Sequence, residues 1–296
     1  MRRARSLLFG ACLSTALLGG CSSSKPLAEA GSGGASSASG GATGGSATCA
    51  APGYHTDAAA TEIDEVDAQI DDPSGNAVPN LLVQVCGLDI CVNGTSNGAG
   101  KTSVAPGVKL ESPAFKYGDG FDFAKLAAAL GPEATQDLGD IIALPLPSDA
   151  DGAAFTTSGA VTNGDVSLIL ADDTDVAHDL LTYSDAKDRV FRSVQIPLAQ
   201  STHAADPSLG LELAYALAPV STVLCPAAGL RVRNSLAWPP GTAVEVFIQG
   251  LEVDEKWAPY AAWVKVADGS VSADGASIET TSGGIPILSS IALRRK

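Results

Sequence analysis

A serine between glycines is the residue of this chain whose spacing comes nearest to catalytic chemistry. Gly94-Thr95-Ser96-Asn97-Gly98 matches the Gly-x-Ser-x-Gly nucleophile elbow, which needs a strand before the serine and a helix after it. The residues that follow, Ala99 to Val104, predict a turn and a strand instead. We therefore expect Ser96 to lie in a hairpin turn, and a serine hydrolase stays a remote alternative.

Two further segments begin like ligand-binding loops. Gly100-Lys101-Thr102 resembles the end of a phosphate-binding loop, but the glycine required five residues earlier is Thr95. Asp149-Ala150-Asp151-Gly152 begins like a calcium loop, but the acid expected at its twelfth position falls on Ala160. We expect no cofactor and no EF-hand, while weak calcium binding at scattered carboxylates stays open.

Aromatic residues are concentrated in one part of a chain that has only 5% of them. They are Trp238, Trp257, Tyr260 and Trp263. Two exposed, coplanar rings among Trp257, Tyr260 and Trp263 could stack on sugar faces, whereas buried rings would belong to a sandwich core. The sequence favours the core and keeps ligand stacking as an alternative.

The N-terminus has the order of an export signal. Arg2, Arg3 and Arg5 precede an apolar run from residue 7 to residue 18, which is too short to span a bilayer, and Leu18-Gly19-Gly20-Cys21 follows. This order resembles the bacterial lipoprotein signal and its lipobox. The resemblance implies removal of residues 1–20 and lipidation of Cys21, which would hold the protein on a membrane. An ordinary secretory signal and a short membrane helix are the alternatives.

Residues 21–48 comprise the cysteine expected to be lipidated and a Gly/Ser/Ala-rich segment. This segment lacks the large apolar side chains needed for folding. We expect a flexible tether with a mean reach on the order of 30 Å. The residue after Cys21 is Ser22. It is not the aspartate that signals inner-membrane retention in some bacteria, so the outer membrane is the expected location.

The exported chain is strongly acidic. The whole sequence has 18 Lys and Arg against 33 Asp and Glu, and loss of the three arginines in residues 1–20 brings the net charge from −15 to near −18. Such a surface repels polyanions. We therefore expect no nucleic-acid partner.

Four cysteines follow Cys21, and an even number in an exported chain implies two disulfides. Cys86 and Cys91 are separated by four residues that can turn the chain, so we expect a local bond. Cys49 then pairs with Cys225. A zinc site would need further Cys or His ligands close by, and no such spacing is shown by His55, His178 and His203.

The hydrophobic pattern is of the β type almost throughout. Short runs, several of them alternating, predict strands at residues 66–70, 81–85, 166–170, 193–196 and 244–248. Asp268-Gly269 and Asp274-Gly275 predict consecutive hairpins, and residues 123–130 fit a helix or a strand. We expect an all-β chain of two β-sandwich domains, residues 49–150 and 151–296, divided at the proline-rich segment 144–152.

The first domain resembles a known module. Asp72-Pro73-Ser74-Gly75, then Val78-Pro79-Asn80-Leu81-Leu82-Val83-Gln84-Val85 and Thr95-Ser96-Asn97-Gly98-Ala99-Gly100-Lys101-Thr102 resemble a carboxypeptidase-regulatory-like (transthyretin-like, or Cna-B-like) β domain over residues 60–110. Some members carry a Lys–Asn isopeptide cross-link whose lysine lies in the first strand. Residues 62–72 contain no lysine, so we expect no cross-link.

The second half is similar to ZU5-like β domains over residues 155–292. The similarity is carried by segments that include Ser158-Gly159-Ala160-Val161, Pro239-Pro240-Gly241-Thr242-Ala243-Val244 and Trp257-Ala258-Pro259-Tyr260. The paired arrangement resembles uncharacterised outer-membrane lipoproteins of predatory soil bacteria of the myxobacterial type. The resemblance implies no catalytic motif.

These observations predict a non-catalytic, lipid-anchored cell-envelope protein that mediates surface contact or assembly. Its membrane partner would be reached through the lipid on Cys21, and a protein or glycan partner stays unidentified. A glycan- or calcium-binding adhesion module is the alternative.

Overall fold

Nearly all regular structure is β in the computed structural model, which describes residues 49–296. The N-terminal strands are β1 (Thr61–Ile63), β2 (Glu65–Asp71), β3 (Leu82–Cys86), β4 (Cys91–Thr95), β5 (Lys101–Val104), β6 (Val108–Leu110), β7 (Ala114–Tyr117), β8 (Leu126–Ala129) and β9 (Thr135–Ile142). The C-terminal strands are β10 (Gly159–Asn163), β11 (Val166–Leu170), β12 (Asp175–Ala177), β13 (Arg192–Gln195), β14 (Leu213–Ala218), β15 (Val223–Arg233), β16 (Ala243–Gln249), β17 (Trp263–Val271), β18 (Ser277–Gly283), β19 (Ile285–Ile287) and β20 (Ser290–Arg295). Short 3-10 helices lie at Asp149–Asp151, Ala186–Arg189 and Pro207–Leu209. The predicted all-β class is confirmed.

Three small sheets are built from the N-terminal strands. β1 pairs with β6, β2 lies between β5 and β9, and the order of the third sheet is β4-β3-β7-β8. The pairing of β2 with β9 is parallel. In β2, Val66, Ala68 and Ile70 are buried while the residues between them are partly exposed. This is the period of two that predicted the strand.

The C-terminal strands form one large sheet. Its order is β10-β11-β15-β18-β17-β16-β20-β14-β13, and β12 and β19 also pair with β15. β15, with 11 residues, is the longest strand that the structure describes. The first part of β15 pairs with β12 and β19, and its last part pairs with β11 and β18.

Strand β14 faces two cores with alternate side chains. Its larger side chains pack into the core of the large sheet: Leu213, Tyr215 and Leu217. Its alanines pack into the core of the N-terminal strands: Ala214, Ala216 and Ala218. A strand buried on both faces has a continuous apolar sequence, and the short alanine side chains let the N-terminal half approach the sheet closely.

The N-terminal core therefore includes residues of the large sheet. Ile63, Val83 and Phe115 cluster with Ala214 of β14 and Ala292 of β20, and the described residues belong to one compact unit. The small sheets use strands before residue 150 and the large sheet uses strands after it. The division into two separate sandwich domains stays a prediction.

Two disulfides join the cysteine pairs expected from the sequence. Cys86 and Cys91 are opposite each other in the β3–β4 hairpin, with Cα atoms 4.0 Å apart. Cys49 is bonded to Cys225 of β15 across 176 residues of sequence, with Cα atoms 5.6 Å apart. The first described residue is thereby fixed to the longest strand of the large sheet.

One predicted hairpin is absent from residues 263–283, and the other is confirmed. Asp274-Gly275 lies in the turn between β17 and β18. Asp268-Gly269 lies inside β17, where the pairing register shifts, so the prediction of a turn there is wrong. A Cβ at Gly269 would lie 2.7 Å from the Glu279 carbonyl oxygen. Glycine at this position serves close strand approach.

The segment that fitted a helix or a strand forms strand β8. In the part of the chain described, no helix is long and apolar enough to cross a membrane.

Candidate functional site

The loop between β16 and β17, residues 250–262, carries two of the three predicted stacking residues. Its first residue fixes its path: Gly250 N–H donates to the Ala262 carbonyl at 2.8 Å, and Ala261 N–H donates to the Gly250 carbonyl at 2.7 Å. A Cβ at residue 250 would lie 2.0 Å from the Pro259 carbonyl oxygen. Only glycine allows the loop to fold back this closely.

The predicted stacking residues pack in three different places. Trp257 contacts the core of the large sheet, and Tyr260 is buried with Cys86 and Leu251 in a third cluster. Trp263 contacts the N-terminal core, and its indole N–H donates to the Ala204 carbonyl at 3.1 Å. Tyr260 is 5% exposed, so its ring is not available for stacking, and Trp257 and Trp263 pack against different cores.

Tyr260 lies against a buried lysine. Lys116 of β7 is 7% exposed, and its Nζ lies 5.4 Å from the centroid of the Tyr260 ring. Burial and, to a smaller extent, the charge of Lys125 lower the pKa of Lys116 to about 8, while Glu252 opposes the shift. Burial also raises the pKa of the Tyr260 hydroxyl above its ordinary value. This contact joins the N-terminal half to loop 250–262.

The same loop binds the first described residues through a buried carboxylate. Glu255 accepts hydrogen bonds from Thr56 N–H at 2.8 Å, Thr56 Oγ1 at 2.6 Å and Tyr260 N–H at 2.8 Å. Burial by itself raises the pKa of Glu255, but these hydrogen bonds outweigh it and lower the pKa below 4.5. Tyr54 N–H donates to the Glu255 carbonyl at 2.9 Å. Residues 53–56 are thereby held on the loop.

A groove of about 280 Å³ lies beside Trp257. Its apolar lining residues are Val223, Trp257 and Ile287, and three acidic residues also line it: Asp179, Glu252 and Asp254. The Ser221 hydroxyl donates to the Glu252 carboxylate, and Lys256 Nζ lies 2.9 Å from Asp254. This composition suits binding, because a ligand would meet both apolar side chains and carboxylates.

Trp263 lines a second depression of about 360 Å³, together with His203, Asp206 and Gln249. Gln249 is buried, and its amide nitrogen donates to the carbonyls of Ala127 at 2.8 Å and Ala204 at 3.3 Å. The aromatic edge and polar side chains are of the kind that hold neutral polar ligands.

Ser96 serves the backbone. It is 2% exposed, its hydroxyl donates to the Val78 carbonyl at 2.6 Å, and it accepts from Leu81 N–H at 2.9 Å. The following residues form the predicted hairpin turn, with Asn97 N–H bonded to the Lys101 carbonyl at 2.8 Å. A buried hydroxyl bonded to the main chain and to neither His nor an acid lacks the geometry of a nucleophile.

Asp149, the first residue of the calcium-like segment, forms an ion pair. Its Oδ1 lies 2.8 Å from Nη1 of Arg192, which is 2% exposed and also donates to the Phe121 carbonyl at 2.8 Å. Across residues 49–296, no three or more His, Cys, Asp or Glu side chains are grouped so that they could hold a metal ion.

Sequence reasoning missed Lys116, Arg192, Glu255 and the exposed pair Leu180–Leu181. A lysine or arginine inside an apolar strand is the signal that could have marked the first two. Two leucines within the polar segment 172–189 could have marked the last. Nothing near Glu255 in the sequence indicates that Thr56 binds it.

No protein-family model matches the chain, and no curated protein matches it. Cys21, the predicted lipidation site, lies outside the described residues.

Proposed function

We propose that this chain is a non-catalytic, lipid-anchored protein of the bacterial outer membrane that mediates contact or assembly through its β structure. The contact role rests on the exposure of two neighbouring leucines: Leu181 is 96% exposed and Leu180 is 59% exposed. Contiguous exposed apolar surface is a mark of protein–protein contact sites. The anchor rests on the order of residues 1–21.

Lipid labelling tests the anchor. The full chain and its Cys21→Ala variant are expressed in a Gram-negative host with an alkyne-tagged fatty acid, and the membranes are fractionated. We expect label and outer-membrane location for the unaltered chain and loss of both for the variant. Membrane retention without label would contradict the anchor.

A size measurement tests the contact role. In mild detergent, the unaltered chain is expected to migrate as part of a larger complex, and the Leu180→Ser/Leu181→Ser variant as a single chain. Lys109→Met, a change at an exposed residue of β6, is the matched control. Single chains in all three samples would contradict contact or assembly.

The depression beside Trp263 favours a second candidate, a glycan-binding module. A sugar could contact the partly exposed indole while His203 and Asp206 supply polar groups. Calorimetry of the Cys21→Ser chain against hits from a glycan array should show binding that Trp263→Ala removes and Trp238→Phe, a change at a buried ring, retains. Binding that survives Trp263→Ala would place any glycan elsewhere.

A further inference from the structure

The exposed leucines are presented by a hydrogen-bonded turn. Asp179 Oδ1 accepts from Leu181 N–H at 3.0 Å, and its Oδ2 accepts from the Thr182 hydroxyl at 2.6 Å. Tyr183 N–H donates to the Asp179 carbonyl at 2.8 Å. The carboxylate of Asp179 thus uses both oxygens on the turn, a local pattern typical of Asp.

The base of the turn is anchored in the protein. Tyr183 is buried, its hydroxyl accepts from Val220 N–H at 3.0 Å, and its ring centroid lies 5.1 Å from that of Phe121. Arg189 Nε donates to the Tyr183 carbonyl at 2.7 Å. Leu180 and Leu181 are therefore held outward by a fixed base, which lowers the entropy lost when a partner covers them.

Asp179 also lines the Trp257 groove, so the turn that presents the leucines borders the groove. We call Leu180, Leu181 and this groove the docking surface. Asp179, Glu252 and Asp254 contribute carboxylates to it, and Lys256 is the one cationic residue lining the groove in residues 49–296. Lys256 is paired with Asp254, and Lys125 and Lys116 act on Asp179 and Glu252 from outside the groove lining. The lining residues themselves have three carboxylates against one ammonium group.

We propose that the docking surface binds a protein segment whose apolar side chain enters the groove and whose flanking residues are Lys or Arg. This rests on the proposed contact function and names the chemistry of the partner. Charge complementarity supports this partner, because positive side chains beside the apolar anchor would meet the carboxylates that line the groove. A second copy would bring acid against acid, and an anionic lipid surface would be repelled in the same way.

Fluorescence anisotropy tests the proposal with two synthetic peptides. The basic peptide has Leu-Trp-Ala-Leu at its centre and two Lys-Arg pairs at its ends, and the acidic peptide replaces those pairs with Glu-Glu. The full chain carries Cys21→Ser so that it can be titrated without detergent. We expect the basic peptide to bind at least ten-fold more tightly than the acidic one, and high salt to weaken its binding.

Three variants locate the binding. Leu180→Ser/Leu181→Ser and Glu252→Gln/Asp254→Asn should each weaken binding of the basic peptide at least ten-fold. Glu62→Gln, which removes an exposed acid of β1, should leave it unchanged. Thermal unfolding establishes that each variant is folded, and if a double variant is not, the single changes Leu181→Ser and Glu252→Gln replace it. The proposal would be overturned if the two peptides bound equally or if neither bound. It would also be overturned if both double variants, that of the leucines and that of the acids, bound the basic peptide as tightly as the unaltered chain does.

Two further measurements test the other possible occupants, a second copy of the chain and a lipid surface. Self-association in the ultracentrifuge that Leu180→Ser/Leu181→Ser abolishes would assign the docking surface to a second copy. Sedimentation with phosphatidylethanolamine–phosphatidylglycerol vesicles that the same variant abolishes would assign it to lipid. Either result would overturn the proposal, while lipid labelling of Cys21 and the native complex size would still test the proposed function separately.

Discussion

The ammonium group of Lys116 lies 5.4 Å from the centre of the Tyr260 ring, so a charge from a strand of the N-terminal half rests on an aromatic residue of loop 250–262. The ring face attracts a cation. Because Lys116 is only 7% exposed, however, the charged form loses more from the removal of water than it gains from the ring. Its pKa is lowered to about 8 for this reason.

The first prediction is that stability rises with pH above about 8 because of Lys116. Its ordinary pKa is 10.5, so the unfolded chain binds more protons than the folded chain between the two values, and the free energy of unfolding increases there. The full rise is about 3 kcal/mol, of which about 2 kcal/mol falls below pH 9.5. Lys116→Met should flatten the rise and stabilise the protein at neutral pH, as measured by urea unfolding from about pH 7 to 9.5.

Exposed Lys109→Met is the control and should keep the slope of the unaltered protein. The range stops below the region where tyrosines ionise, because burial raises the pKa of Tyr117 and gives the opposite dependence. An unchanged slope in Lys116→Met would contradict the assignment.

The second prediction concerns the Cys49–Cys225 bond under force. If the chain is pulled from Cys49 and from Lys296, the disulfide locks the segment between its cysteines, which are 176 positions apart in the sequence. The 71 residues from Pro226 to Lys296 can then extend by at most about 260 Å. Reduction or Cys225→Ser should add roughly 600 Å, as measured with single-molecule force spectroscopy.

Cys91→Ser is the matched control for this measurement. The Cys86–Cys91 bond lies inside the locked segment, so the oxidised extension should not change when it is lost. A long extension of the oxidised, unaltered chain would contradict the pairing.

The alternation of apolar side chains was sufficient to locate strands. The run Val166–Leu170 is strand β11, and its alternate residues are buried because they share one face. The same pattern could not place β15 between β11 and β18, since pairing between distant segments depends on the packing of the whole sheet.

The burial of Lys116 could not be predicted from the sequence, for a related reason. A lysine in the run Ala114–Tyr117 predicts an exposed face, but loop 250–262 covers it from a distant part of the chain. Ser96 shows the opposite case. Its turn was predictable because the residues that decide it, from Asn97 to Lys101, are its neighbours.

The third prediction is that Arg192 is a major contributor to stability. Its guanidinium pairs with Asp149 at 2.8 Å and donates to the carbonyls of Phe121 at 2.8 Å and Pro147 at 3.3 Å. Arg192→Met would leave these three acceptors without their donor. The side chain of Asp149 is 33% exposed, so water can hydrate its freed carboxylate. The cost therefore comes mainly from the two carbonyls and is roughly 1–3 kcal/mol. Urea unfolding measures the loss. The exposed Arg231–Glu279 pair is the comparison, because Arg231→Met should cost less than about 1 kcal/mol, and equal losses would contradict the distinction.

The fourth prediction is that Glu255 holds the first described residues on loop 250–262. Glu255→Gln removes the charge that accepts from Thr56 N–H, Thr56 Oγ1 and Tyr260 N–H, and a hydrogen bond to a charged group contributes about 1.5–3 kcal/mol. The backbone amides of Gly53, Tyr54 and Thr56 should therefore exchange with deuterium roughly ten-fold faster. Hydrogen exchange read by mass spectrometry measures this change.

Lowering the pH should speed the exchange of these amides as Glu255→Gln does. The pKa of the folded carboxyl lies below its unfolded value of 4.5, so its stabilisation is complete above 4.5 and is lost as the pH falls through the lower, folded pKa. Thr56→Val should reproduce the faster exchange at neutral pH, because it removes the hydroxyl that donates to the same carboxylate. Glu62→Gln, at an exposed acid of β1, should leave exchange of residues 53–56 unchanged. Protection that persists in both Glu255→Gln and Thr56→Val would show that the backbone bonds and the Cys49–Cys225 disulfide alone hold this segment in place.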